Sequence, residues 1–314
     1  MKKINIVSLF DGMACTRIAF SKMGFKDSQI NYFASEVDKY SIKVAQSNYP
    51  EINQIGDVTK VKYKRKKLET EKGIFDVTSV DLVIGGSPCQ GFSFSGKQLN
   101  FEDPRSKLFF EYVRIVKELK PKYFLLENVN MKQEFQDIIS KELGVEPILI
   151  NSKLITAQSR PRLYWTNIPD IKPPKDKNIY FQDIMEKKPV ANNFYYSPAA
   201  LSWLDRHGKA KNKKLKEMNT PKIKMQCLEA SMHKKYSAQR FFQVTDINGP
   251  RYITPLECER CQTVPDNYSQ VEGISNTQRY KMLGNGFTVD MITHILSGVF
   301  NKKSLRKDSS SKVI

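Results

Sequence analysis

Four short apolar runs frame the first half of the chain: INIVSL (4–9), INYFASE (30–36), VDLVIGG (80–86) and YFLLENV (123–129). Each is too short for a stable helix and mainly apolar, the pattern of a strand buried on both faces. Stretches of helical period separate them, at 14–23 (ACTRIAFSKM, ending at Gly24), 38–48, 106–119 and 132–143, and EPILINSKLI (146–155) reads as a further strand. Strands alternating with helices build βαβ units, because parallel neighbours need a crossover. The expected fold class is therefore α/β, a doubly wound, mostly parallel sheet. One segment breaks the rhythm: KVKYKRKKLETEK (60–72) carries seven basic and two acidic residues and reads as an exposed connection.

The character changes near Pro169. From there to about 248, Pro, Lys and Asn are frequent, and DRHGKAKNKKLK (205–216) holds six Lys or Arg against one Asp. Regular pattern returns at 251–262 and 278–299, and a short basic, Ser-rich stretch follows from Asn301. The expected organisation is a catalytic and ligand-binding domain over 1–168, a small inserted domain over 169–248, a segment 249–300 returning to the first domain, and a disordered tail 301–314. The 314 residues are 40% hydrophobic, enough for packed cores, and the net charge of +18 favours a polyanionic partner. A Lys-rich surface that merely aids solubility is the competing reading of that charge. Five scattered cysteines, an odd number, suit reduced thiols in a cytoplasm. INIVSLF (4–10) follows two lysines but is too short for a leader, and no stretch is long enough to cross a bilayer. Cys258 and Cys261 form a CxxC inside a helical pattern, and no two of His207, His233 and His294 stand at ligand spacing, so no metal is expected.

Candidate functional residues gather just past the strand ends, where ligands bind in open α/β sheets. Asp11-Gly12 follows the first strand, Glu36 ends the second and is placed to accept from a ribose diol, and Asp57 follows Gly56 and can accept from an exocyclic amine. The first loop, FDGMAC (10–15), is not G-x-G-x-x-G, which argues against an NAD enzyme. Cys89 sits past the third run in GGSPCQGFSFSGKQLNFEDPRSKLFF (85–110), a Gly/Ser-rich loop able to close over a substrate. A thiol in such a loop reads as a nucleophile, against the alternative of a small buried apolar side chain.

That segment resembles the nucleophile motif of the cytosine-5 DNA methyltransferases, especially small bacterial and phage modification enzymes. Other motifs of the family follow in order: FDGMA (10–14) resembles the donor-binding motif, ENV (127–129) the motif of the catalytic glutamate, and QSRPR (158–162) the Q-x-R-x-R motif. RYITPLECERCQTVPDNY (251–268) is similar to the motif that organises the recognition domain, and GNGF (284–287) to the late motif that returns to the donor pocket. Departures are small: Phe287 stands where valine is more usual, and Met13-Ala14 where more glycine is common.

The resemblance implies an S-adenosylmethionine-dependent methyltransferase fold in which residues 170–248 read DNA. It implies Cys89, Glu127, Arg160 and Arg162 as catalytic residues, and Phe10, Asp11, Gly12, Glu36, Val37, Asp57, Val58, Pro88, Leu108, Asn285 and Gly286 as S-adenosylmethionine contacts. Cys89 would add to carbon 6 of a flipped-out cytosine, making carbon 5 nucleophilic. Glu127 would protonate or hydrogen-bond ring nitrogen 3, Arg162 would hold the carbonyl oxygen at ring position 2, and Arg160 would support it or a phosphate. Ser93 and Gln98 are alternatives for filling the gap in the base stack, and no base for the carbon-5 proton is evident. Expected partners are double-stranded DNA and a cognate restriction endonuclease, with no membrane, for a monomer in the cytoplasm of a prokaryotic or phage-infected cell. A tRNA cytosine-5 methyltransferase and a catalytically inactive DNA-binding homologue are the alternatives.

Overall fold

The computed structural model describes residues 3–88, 104–210, 216–217, 220–234 and 242–301. Cys89, the loop 90–100 with Ser93 and Gln98, part of the basic run 205–216 and the tail past Asn301 lie outside the described residues. The chain groups into two compact units: Met1–Asn151, Pro161–Pro173 and Val289–Ile314 form the first, and Ser152–Arg160 and Pro174–Thr288 the second.

In the first unit, β1 (Ile4–Leu9) is followed by α1 (Cys15–Lys22), β2 (Ile30–Ser35), α2 (Lys39–Asn48) and the short β3 (Asn53–Gln54). Gly24, at φ 84, follows α1, a left-handed position a glycine occupies without strain. The Asp38 side chain caps α2 by accepting from the Tyr40 N–H at 3.1 Å. Next come β4 (Lys62–Lys64), β5 (Lys67–Thr70) and β6 (Gly73–Asp76), then β7 (Leu82–Gly85), α3 (Pro104–Leu119), β8 (Tyr123–Val129), α4 (Gln133–Leu143), β9 (Ile148–Asn151) and β10 (Pro161–Thr166).

The main sheet among the described residues runs β3-β2-β1-β7-β8-β10-β9. β3, β2, β1, β7 and β8 are parallel, and β10 is antiparallel to both β8 and β9. The strand order reverses between β1 and β7, which places the ligand crevice of a doubly wound sheet at their carboxyl ends. Gly85 keeps that crevice close-packed: a Cβ there would stand 2.8 Å from the Leu9 carbonyl and 3.2 Å from the Tyr112 ring. The expected α/β class holds, with its strands near the residues foreseen.

Two local expectations are corrected. Residues 60–72 are not a plain connection, because β4, β5 and β6 form an antiparallel meander. Its inner face, Tyr63 opposite Leu68 opposite Phe75, packs into the core beneath a lysine-rich outer face. The run 146–155 is a strand only over Ile148–Asn151, and Ser152–Leu154 turns as a 3-10 helix.

The second unit holds α5 (Phe181–Ile184), α6 (Pro198–Ala210), a small sheet of β11 (Lys216–Glu217), β12 (Phe242–Asp246) and β13 (Gly249–Arg251), then α7 (Pro255–Cys261) and α8 (Asn276–Asn285). Thr254 and Glu257 form a capping box at the start of α7, with Pro255 in its first turn. Its core is held by buried ion pairs: Arg251 to Glu257 at 2.7 Å, and Arg279 to Glu259 at 3.1 Å. Cys258 and Cys261 are buried in α7, and burial pushes both thiols up, so they pack as neutral side chains. The chain returns to the first unit with α9 (Val289–Ser297), where Lys22 meets Asp290 at 2.6 Å. No described helix is long and apolar enough to cross a membrane.

Candidate active site

Strand register brings most of the expected residues to one level of one sheet edge. Leu9 pairs with Ser35 on β2 and with Gly85 on β7, and Gly85 pairs with Leu126 on β8. One step further along these parallel strands stand Phe10, Glu36, Gly86 and Glu127. On β3, Gln54 pairs with Ala34, so Gly56 and Asp57 emerge at the same edge.

The loop after β1 alternates into the left-handed region, at φ 56 for Phe10, 60 for Gly12 and 64 for Ala14. Such alternation turns backbone N–H groups toward an anion. Glu36 supplies it: its Oε2 accepts from the Gly12 N–H at 2.8 Å, while its Oε1 accepts from Val37 N at 2.7 Å and Asp38 N at 2.8 Å. Glu36 therefore shapes the loop and, with about four lone-pair sites on a carboxylate, keeps room for one more donor. Val37 projects beside it, 72% exposed, and Phe10 and Leu108 are partly buried against the core. A Cβ on Gly12 would meet nothing within 4 Å, so the loop is open on that side. Exposed valine, partly buried aromatic, open glycine backbone and a carboxylate fit a ligand with a heteroaromatic ring, a ribose and a cationic tail.

Asp57 caps the 3-10 turn that follows, its Oδ1 accepting from Thr59 N at 2.9 Å, and its own N–H donates to Glu71 Oε1 at 3.0 Å. Val58 is buried in the core, and Pro88 is half-buried. Asp11 is only 6% exposed, and the Tyr32 hydroxyl donates to its Oδ1 at 2.5 Å. Burial raises the Asp11 pKa to about 7, against the lowering hydrogen bonds of Ser8 and Tyr32 and with a smaller upward push from the Glu36 charge.

Two strands from β1, Glu127 lies near the end of β8. Tyr164 pairs with Glu127 and Arg162 with Val129, so Arg162 is the diagonal neighbour of Glu127 on the same sheet face. Arg162 Nε lies 3.0 Å from Glu127 Oε1, and each side chain is only 11% exposed. Asn128, the next residue, is buried and donates to Ser87 Oγ at 3.3 Å, while its own Oδ1 accepts from Val129 N at 2.8 Å. It fastens β8 to the residue two before Cys89, a role sequence reading did not assign.

The Q-x-R-x-R motif divides between the units. Arg160 belongs to the second, buried, with NH1 donating to the Leu228 carbonyl at 2.9 Å and NH2 to the carbonyls of Gly284 at 3.1 Å and Gly286 at 2.9 Å. Gln158 donates to the Cys261 carbonyl at 2.9 Å and to Gln262 Oε1 at 2.8 Å, and Gln262 donates to the carbonyls of Leu283 at 2.6 Å and Gly286 at 3.0 Å. Arg160 and Gln262 grip the backbone on either side of Asn285, whose own side chain is left exposed, and Gln158 steadies Gln262 from behind. Gly284 is required by a close approach, since a Cβ there would collide with the backbone of Glu229 and Ala230. Gln158 and Gln262 lay inside quoted motifs, yet nothing in their spacing signals that they meet.

Residues 4–301 match the family described as C-5 cytosine-specific DNA methylase. The type II methyltransferase M1.ScrFI of Lactococcus lactis subsp. cremoris is 31% identical over 317 residues, 92% of this chain and 76% of that one. The type II methyltransferase M.HpaII of Haemophilus parainfluenzae is 29% identical over 329 residues, 93% and 87% of the two chains. In fold, the structure of the Entamoeba histolytica methyltransferase EhMeth superposes with a TM-score of 0.71 at 17% identity, over 96% of this chain and 98% of that one. The chain belongs to the C-5 cytosine-specific DNA methylase family and is an enzyme that transfers a methyl group to carbon 5 of cytosine.

Proposed function

We propose that this enzyme is a sequence-specific modification methyltransferase of double-stranded DNA that works through a covalent Cys89 adduct at carbon 6 of a flipped-out cytosine. The observation that carries the reading is the Arg162–Glu127 pair, 3.0 Å apart at the strand edge that also bears Phe10 and Glu36. S-adenosylmethionine, when bound, supplies an electrophilic methyl group. In the first unit, Phe10, Asp11, Gly12, Glu36, Val37, Asp57, Val58, Pro88 and Leu108 would hold it, with Glu36 accepting from its ribose.

The chain's own residues then divide the work. The Cys89 thiolate adds to carbon 6, and the electron pair it pushes into the ring is stabilised by the proton or hydrogen bond that Glu127 holds at nitrogen 3. Arg162 fixes the Glu127 carboxyl in place and presents its guanidinium to the oxygen at ring position 2. Arg160 acts at one remove, holding the backbone around Asn285. Loss of the carbon-5 proton expels the thiolate and restores the ring. Residues 169–248 choose the target sequence, using Arg, Lys, Asn and Gln on base edges and phosphates. A cognate restriction endonuclease is the companion this reading proposes, in keeping with relatives that are type II methyltransferases, and the enzyme itself is proposed to act as a monomer.

Incubation with methyl-labelled donor and a mixture of duplex DNA and transfer RNA tests this, followed by bisulfite sequencing of the DNA. Label in DNA at one short repeated sequence supports the reading. Label confined to RNA, or in neither, contradicts it.

A further inference from the structure

The hairpin joining β4 to β5 is built against its own local preferences. Its two-residue loop is Arg65-Lys66, with φ 48 and 64. Two successive positive φ values are the geometry of a type I′ turn, which favours Asn-Gly because a side chain with a full Cβ is strained there. Lys64 and Lys67 flank the turn and pair directly across the hairpin, which sets like charges face to face. The outer face continues with Lys62 opposite Glu69. Among the described residues, Lys62, Lys64, Arg65 and Lys66 are exposed and have no carboxylate partner, and Lys67 has only Asp76 at 3.7 Å.

The scaffold beneath is firm. Leu68 is fully buried, the Tyr63 hydroxyl donates to the Val77 carbonyl at 2.9 Å, and the Tyr63 N–H donates to Glu118 Oε2 of α3 at 3.2 Å. At the other end of the meander, Glu71 accepts from Lys60 at 2.9 Å and from the Asp57 N–H at 3.0 Å. A mere solubilising surface needs neither the strained turn nor the opposed lysines. A bound polyanion relieves the Lys64–Lys67 repulsion, and its attraction to Arg65 and Lys66 offsets the cost of holding cations where Asn-Gly would fit the turn better.

Resting on the reading of the enzyme as acting on duplex DNA, we infer that the β4–β5 hairpin is a second DNA-binding surface. It grips the phosphate backbone through Lys62, Lys64, Arg65 and Lys66. Phosphate contacts carry no sequence information, so this surface adds affinity evenly and leaves the choice of target elsewhere.

The test is the paired substitution Arg65→Asn and Lys66→Gly in the full-length protein. It removes two cations while giving the turn its preferred residues, so lost binding cannot be laid to lost folding. Affinity for a duplex is measured as a function of salt. The expected result is a log–log salt slope shallower by about 1.8, and affinity at ~0.1 M salt weaker by roughly tenfold or more. Melting temperature should hold or rise, and donor affinity and the methylated sequence should not change. A second variant, Lys62→Gln with Lys64→Gln, leaves the turn intact and should lose a similar slope. If wild type methylates DNA while both variants bind with the wild-type slope, the hairpin inference is overturned and the proposed function stands. Loss of affinity confined to duplex RNA overturns it in favour of an RNA contact. A wild-type protein that binds no duplex DNA overturns both readings.

Discussion

Arg162 Nε stands 3.0 Å from Glu127 Oε1, diagonally across the antiparallel pair β8–β10. Both side chains are largely withdrawn from water, which strengthens the attraction between them. Glu127→Gln should lower kcat by about 10²- to 10⁴-fold, the usual worth of a positioned acid, while leaving donor affinity unchanged. Arg162→Ala should fall in the same range. The double variant should be little worse than either alone, since groups acting as a unit are not additive. Independent, multiplying losses in single-turnover kinetics would separate the two residues.

Glu36 accepts three backbone N–H groups, from Gly12, Val37 and Asp38. Glu36→Ala should weaken S-adenosylmethionine binding by roughly 1.5–3 kcal/mol, the worth of a charged hydrogen bond, by calorimetry. Loosening of the loop after β1 should add to this, visible as faster amide exchange at Gly12. Unchanged donor affinity would remove Glu36 from the donor site.

Asp11 gives the enzyme a particular dependence of stability on pH. Its folded pKa is raised, to about 7 from 3.8, so the folded state holds its proton more tightly than the unfolded chain. The stability it contributes is full below about pH 3.8 and is lost as pH rises through about 7. Asp11→Asn keeps an acceptor for Tyr32 without a charge. Relative to wild type it should gain stability between pH 5 and about 8, by up to about 4 kcal/mol at about 1.36 kcal/mol per pKa unit. Urea melts across that range measure it, and a difference that does not vary with pH would contradict it.

Arg251 and Glu257 form an ion pair with both side chains fully buried, and Glu257 also accepts from the backbone of Thr254 and Glu186. Removing the cation strands a buried carboxylate. Arg251→Ala should therefore destabilise the protein by about 3–5 kcal/mol, read as a lowered denaturation midpoint.

The sheet was legible because its central strands are apolar runs separated by helix-period stretches with glycine or Asp stops. β10 was not read as a strand: its first residues, Pro161 and Arg162, hide the run LYWT that β8 and β9 enclose. The meander was masked by charge, although Val61, Tyr63, Leu68 and Phe75 carry its inward face. Glu36 was found from its position at the end of a strand run, and Glu127 from the ENV motif that carries the family resemblance. The roles of Asn128, Gln158 and Gln262 depend on tertiary contacts with Ser87, Cys261 and Leu283, which no local pattern encodes.

The assignment of Cys89 as the nucleophile is tested most directly by a fluorine at carbon 5. Fluorine cannot leave as a cation, so an adduct formed at carbon 6 persists after methyl transfer. Wild-type enzyme with S-adenosylmethionine and a duplex carrying 5-fluorocytosine in its target should give a protein–DNA complex that survives denaturation, with the cross-link mapping to Cys89. Cys89→Ala should give none while still binding the duplex, because phosphate contacts supply much of the affinity. A denaturation-resistant complex formed by the Cys89→Ala protein, or a wild-type cross-link mapping to another cysteine, would contradict the account.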